Sequence, residues 1–169
     1  MFGSVTRTSR ALSKGIAASV ITSILSMILT SGFAQVKEKT ILFVCEHGSA
    51  KSIVAAAHFN RIAEKEGIQI KVISRGTKPD EVVPEKINNL LNGDGFKSHT
   101  ETPVQLTAQD LKNADYVVTF NPIPSTIGSS QNIETWNIPS FEAGYPAARD
   151  SMLVHIRKII ERIKTENQK

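Results

Sequence analysis

Ile41-Leu-Phe-Val-Cys-Glu-His-Gly-Ser-Ala-Lys-Ser52 is the stretch on which the reading of this chain turns. From Thr40 to Val44 it is a near-continuous run of apolar β-formers, the pattern of a strand buried on both faces. The run ends at Cys45, the only cysteine among 169 residues. A short loop follows, and a helical pattern begins at Ser52. Strand, tight loop and helix N-terminus in that order make an anion site, because loop N–H groups and the helix dipole converge on one point. A thiol at such a point ionises more readily than a free cysteine.

Downstream, the spacing predicts a helix over residues 52–66, with Ile53, Ala56 or Ala57, Asn60 and Ala63 on one stripe. Phe59 and Ile62 widen that stripe, and Gly67 is the stop. Ile68, Ile70 and Val72 alternate with Gln69, Lys71 and Ile73, which reads as a second strand from Ile68 to Ser74. Arg75 to Asp80 is loop, and Pro84 opens a short helix carrying Ile87, Leu90 and Leu91. Thr107 caps a further helix with Asp110 in its first turn, Leu111 and Ala114 facing inward. Asp115 to Phe120 is a third buried strand and Ile133 to Trp136 a fourth, with Asn137 to Glu142 as loop. An amphipathic helix from Ala147 to Lys164 closes the chain, placing Met152, Ile156, Ile159, Ile160 and Ile163 on the core side. Strands alternating with helices imply a three-layer α/β/α domain around a four-stranded parallel sheet. Ligands bind such sheets at the carboxyl ends of the strands, where Cys45 and the loops after the third and fourth strands meet.

The first 34 residues read differently. Arg7, Arg10 and Lys14 precede an apolar run from about Ile16 to Leu29, and no acid occurs before Glu38. Gly32-Phe-Ala34 then offers a cut ahead of Gln35, the layout of a secretory signal peptide on a domain spanning 35–169. An uncleaved anchor and a mitochondrial transit peptide are the alternatives. The ordered charged, apolar and small-residue regions favour export to a periplasmic or extracellular space, with no stable membrane insertion after cleavage. Without the leader, 17 Lys and Arg face 16 acids, a net charge of +1. That balance gives no support to nucleic-acid binding driven by global charge. A single cysteine forms no internal disulfide, so the domain rests on its core.

Several site chemistries fail on residue type. A nucleotide P-loop needs glycine where Ala50 stands before Lys51-Ser52, and no dinucleotide fingerprint follows the first strand. Cys45, His47 and His58 lack a compact metal-ligand spacing, and His99 and His155 lie elsewhere, so neither metal nor cofactor is expected. An oxyanion-binding thiolate loop and an inert buried cysteine are what remain.

In its motifs the chain resembles the low-molecular-weight protein tyrosine phosphatases and related arsenate reductases. Their signature of cysteine, five residues, arginine and serine reads here as Cys45-Glu-His-Gly-Ser-Ala-Lys51-Ser52. Ser74-Arg-Gly-Thr77, Thr102-Pro-Val-Gln-Leu-Thr107, Ala114-Asp-Tyr-Val-Val118 and Trp136-Asn-Ile-Pro139 resemble later family segments in the same order. The resemblance implies Cys45 as nucleophile, Ser52 as hydrogen-bond donor to it, and the loop of Glu46, His47, Gly48, Ser49, Ala50 and Lys51 as the oxyanion cradle. Ligands would be phosphate, arsenate, or a phosphorylated small molecule or peptide. Oligomeric state is not legible.

Two departures bear on activity. Lys51 replaces the family arginine, keeping the charge but losing the planar two-point grip on an oxyanion. Such a transition-state contact is commonly worth about 100-fold in rate. Ser140-Phe141 stands where the family's Asp-Pro acid would be, and a hydroxyl is too weak an acid for that role. Glu142 or Glu46 are candidate substitutes, each equally readable as a solvated carboxylate. The resulting expectation is a phosphatase-type hydrolase, weak on ordinary esters. A non-catalytic oxyanion- or partner-binding domain and an arsenate reductase using an external thiol are the alternatives.

Overall fold

The computed structural model describes residues 38–168; the expected leader and its cut after Ala34 lie outside them. Strand β1 (Thr40–Cys45) is followed by α1 (Lys51–Lys65), β2 (Lys71–Gly76), α2 (Glu85–Gly93), α3 (Ala108–Asn113), β3 (Tyr116–Thr119), β4 (Ile133–Thr135) and α4 (Phe141–Asn167). All pairings are parallel in the order β2-β1-β3-β4. β1 is central, and Ile41 to Val44 are fully buried, as its unbroken apolar run requires. Its side chains alternate between two cores. Ile41, Phe43 and Cys45 join α1, α2 and α4 on one face, and Leu42 and Val44 join Leu106, Leu111, Ala114 and Val117 on the other. This is the expected three-layer α/β/α arrangement.

Local expectations mostly match. Met152, Ile156, Ile159, Ile160 and Ile163 of α4 are all buried. Thr107 caps α3 in a reciprocal box: its Oγ1 accepts the Asp110 N–H at 3.1 Å, and the Asp110 carboxylate accepts the Thr107 N–H at 3.0 Å. Three expectations need correction. β2 begins at Lys71 rather than Ile68, because the Ile68 N–H closes the end of α1 on the Ala63 carbonyl at 2.9 Å. The inward face of α1 runs through Ser52, Ile53, His58 and Phe59, while Asn60 is exposed. A helix lying between a sheet and α4 buries more than one stripe, so polar side chains with partners are buried too. Finally, Phe141 and Glu142 belong to a helical turn that precedes the regular part of α4, with Gly144 at φ 148° forming the kink between them. Pro146 sits just past that kink, where its missing N–H costs least.

The order β2-β1-β3 places a topological switch beside β1, since the chain leaves it toward opposite edges. Cys45 sits at that point. Among the described residues, no helix is long and apolar enough to cross a membrane.

Candidate active site

Cys45 ends β1 with its side chain buried, and its Sγ lies 3.1 Å from the Ser52 Oγ. Ser52 is wholly buried in the first turn of α1, a position otherwise hostile to a hydroxyl. The thiol is its one side-chain partner among the described residues. Between them the loop bends through Gly48 at φ +62°, a conformation that favours glycine. The loop is also tied down from outside. Thr77, Lys78 and Asp80 donate their N–H groups to the carbonyls of Cys45, Glu46 and His47 at 3.1, 2.8 and 3.0 Å. With its carbonyls turned outward, the loop leaves its amides facing the other way. Among the described residues the N–H groups of His47 to Ser52 have no protein acceptor. Together with the N-terminus of the 15-residue α1, they form a concavity of donors in front of the sulfur. Glu46 is the exception in the expected cradle, because its N–H is donated to the Asn121 Oδ1 at 3.3 Å.

The side chains sort less simply than the sequence suggests. The Lys51 Nζ donates to the Ile138 carbonyl at 2.6 Å, tying the cysteine loop to the segment before α4. Burial pushes the pKa of this ammonium down, and the Cys45 charge opposes the shift. The Glu46 side chain makes a long ion pair with Lys78 at 3.8 Å, both exposed. The Ser49 hydroxyl, almost fully buried, donates to the Asp80 carboxylate. The other oxygen of that carboxylate is 3.0 Å from the His47 Nδ1. Ser140 is the N-cap of α4, where its Oγ accepts the Glu142 N–H at 3.2 Å. Its hydroxyl is thus engaged as a cap of α4. Glu142 is exposed, and no hydrogen bond holds its carboxylate among the described residues. His47, Ser49, Lys51, Asp80, Ser140 and Glu142 all line one open cleft of about 520 Å³.

This architecture explains the comparisons with known proteins. The sequence model of the low molecular weight phosphotyrosine protein phosphatases matches residues 40–127, from β1 through the loop after β3. The chain belongs to that family. The fold of this family member matches the crystal structure of YfkJ from Bacillus subtilis with a TM-score of 0.69 at 18% identity, over 78% of this chain and 98% of that one. It also matches a thioredoxin-dependent arsenate reductase from Corynebacterium glutamicum, with a TM-score of 0.61 at 19% identity, over 76% of this chain and 63% of that one. A curated protein of Halobacterium salinarum, provisionally assigned as an arsenate reductase, is 25% identical over 80 residues. That match spans 46% of this chain and 56% of the Halobacterium protein.

Asp80, Asn121 and the Ile138 carbonyl escaped the sequence reading. Asp80 stood inside a loop with no pattern, and a backbone carbonyl carries no residue signal. His58, set aside as a metal ligand on spacing, is buried with its Nε2 3.1 Å from the Asp94 Oδ2. Arg149 and Tyr145 donate to the same carboxylate. It holds α1 to α2 and α4.

Proposed function

We propose that this chain is a phosphatase-type hydrolase whose Cys45 thiolate attacks phosphorus in a substrate held by the loop amides. The observation that carries this reading is the Cys45–Ser52 contact of 3.1 Å beside amides without protein acceptors. A thiolate there has a hydroxyl donor to hold it, and the amides match the equatorial oxygens of a phosphoryl group. Attack forms the S–P bond and releases the alcohol or phenol; water then cleaves S–P and returns the electron pair to sulfur. Lys51 offers one ammonium where a guanidinium would grip two oxygens, and Ser140 offers no usable proton. Turnover of ordinary phosphate esters is therefore weak. Substrates are phosphorylated small molecules or peptides, encountered after export and removal of the first 34 residues. The test is hydrolysis of 4-nitrophenyl phosphate by the full-length chain and its Cys45→Ser variant. Equal rates refute a catalytic cysteine.

A second reading is supported by the Halobacterium relative, and with no other cysteine in the sequence it takes the form that uses an external thiol. Arsenate bound to Cys45 would be reduced by an external thiol, which is oxidised to its disulfide. Arsenate-dependent consumption of glutathione that disappears in Cys45→Ser favours it. Calorimetric binding of phosphate without either turnover favours a domain that only binds oxyanions, a reading consistent with Lys51 being held by Ile138.

A further inference from the structure

A family phosphatase with serine at the acid position lacks a proton for the leaving oxygen, and the cleft contains one group arranged to supply it. His47 is two residues beyond Cys45, with a side chain 59% exposed. Its ring is nonetheless held: Nδ1 sits 3.0 Å from the Asp80 Oδ1. Asp80 is itself fixed three ways, by its N–H on the His47 carbonyl at 3.0 Å, by the Ser49 hydroxyl on its second oxygen, and by the imidazole. Nε2 has no partner among the described residues, and the ring lines the same cleft as Lys51 and Ser140. The remaining carboxylate there, Glu142, has no hydrogen-bond or ion-pair partner for its side chain among the described residues, and the remaining cation, Lys86, lies on α2.

We infer that His47 is the proton donor of this enzyme and that Asp80 is its positioning residue. The inference rests on the phosphatase reading and adds to it the group that protonates the leaving group. Imidazolium carries a proton on each ring nitrogen, so Nδ1–H stays on Asp80 while Nε2–H is given up. In the first step the Cys45 Sγ bonds to phosphorus, the ester P–O bond breaks, and the leaving oxygen takes the Nε2 proton. The carboxylate then keeps the neutral ring in the tautomer whose Nε2 is an acceptor. In the second step water attacks phosphorus, its proton passes to Nε2, and the S–P electron pair returns to sulfur. Both the enzyme's charge and its protons are restored. The same acid serves a site whose weak point remains Lys51, so turnover stays low while the dependence on the leaving group is moderate.

The experiment compares full-length wild type with His47→Gln, Asp80→Asn, Glu142→Gln and Cys45→Ser on two aryl phosphates. Phenyl phosphate has a leaving group that needs a proton; 2,4-dinitrophenyl phosphate has one that does not. His47→Gln is expected to lower kcat on phenyl phosphate by about 100-fold or more, the range for removal of a general acid, and on the dinitrophenyl ester by less than about 10-fold. Asp80→Asn is expected to show the same leaving-group dependence at about 10-fold, with KM unchanged. Inhibition by inorganic phosphate should stay at the wild-type level in His47→Gln, which separates proton donation from anion binding and from misfolding. Equal losses on both esters overturn the assignment, as does a leaving-group-dependent loss in Glu142→Gln with none in His47→Gln. If Cys45→Ser matches wild type, the phosphatase reading itself falls; a Cys45-dependent enzyme indifferent to His47 removes only the proton donor.

Discussion

Gly76 is where the architecture is least forgiving, and Gly76→Ala tests it. A Cβ at this position would lie 2.8 Å from the Gly48 N, 2.9 Å from the His47 carbonyl carbon and 3.0 Å from the Pro79 Cα. All three are backbone atoms, so no side chain can swing away. Neither partner is free to retreat. Gly76 is bound on its far side, its N–H to the Val104 carbonyl at 2.9 Å and its carbonyl to the Leu106 N–H at 2.7 Å. The cysteine loop is held by the N–H groups of Thr77, Lys78 and Asp80. Relief requires several of these bonds to stretch together, at the cost typical of overpacking, about 1–3 kcal/mol. For a domain of this size that corresponds to a fall in melting temperature of roughly 3–10 °C. Gly93→Ala is the internal comparison. Its Cβ would meet nothing within 4 Å, and replacing a helical glycine stabilises by up to about 1 kcal/mol. Urea unfolding of both variants, with phosphate affinity measured alongside, reads the outcome. Gly76→Ala should unfold earlier and bind phosphate less tightly, because the displaced backbone is the back of the amide cradle. A Gly76→Ala protein with wild-type midpoint and affinity would refute the close approach of the two loops.

Removing the hydroxyl of Ser52 deletes a hydrogen bond to an ionisable sulfur, worth about 1.5–3 kcal/mol when the partner is charged. Ser52→Ala should therefore lower kcat on 4-nitrophenyl phosphate by about 10–100-fold, and an unchanged kcat would show that the contact is idle. Lys51→Met removes the positive charge from the loop and its 2.6 Å tie to Ile138; phosphate affinity by calorimetry should fall by about 10-fold or more, and retained affinity would leave binding to the amides alone. Acid sensitivity follows from the cluster at Asp94. Burial lowers the pKa of His58, against the opposing pull of Asp94, so the unfolded chain binds the proton more readily. Stability is complete above the free histidine value near 6.5 and is lost as pH falls through the folded value. Burial alone would raise Asp94, but hydrogen bonds from Tyr145, Arg149 and His58 hold it below its usual value. Its contribution is present above about pH 4 and is lost as pH falls through the folded value. Both slopes have one sign. The urea midpoint should decline from about pH 7 downward, with His58→Gln flattening the upper part of the decline. A wild-type midpoint that rises between about pH 7 and pH 5 would contradict the buried neutral ring.

The sequence by itself determined the elements whose signal lies between near neighbours. β1 was legible because a strand buried on both faces must be apolar throughout, and α4 because five buried residues recur at helical spacing. Thr107 and Asp110 announced the start of α3. Cys45 at a strand end before a helix located the candidate site, and the order of elements set the parallel sheet. Tertiary structure decided the rest. His58 is a polar residue along α1 that is buried because Asp94 meets it there. Asp80 faces His47 from 33 residues away, and Ile138 takes the Lys51 ammonium from 87 residues away. Such pairs have no period or spacing in the chain. They form only because the order β2-β1-β3-β4 brings the loop after β2 and the segment after β4 to the carboxyl end of β1. Local periodicity encodes which face of an element is buried. Which polar groups then face one another at the site depends on the packing of several elements at once.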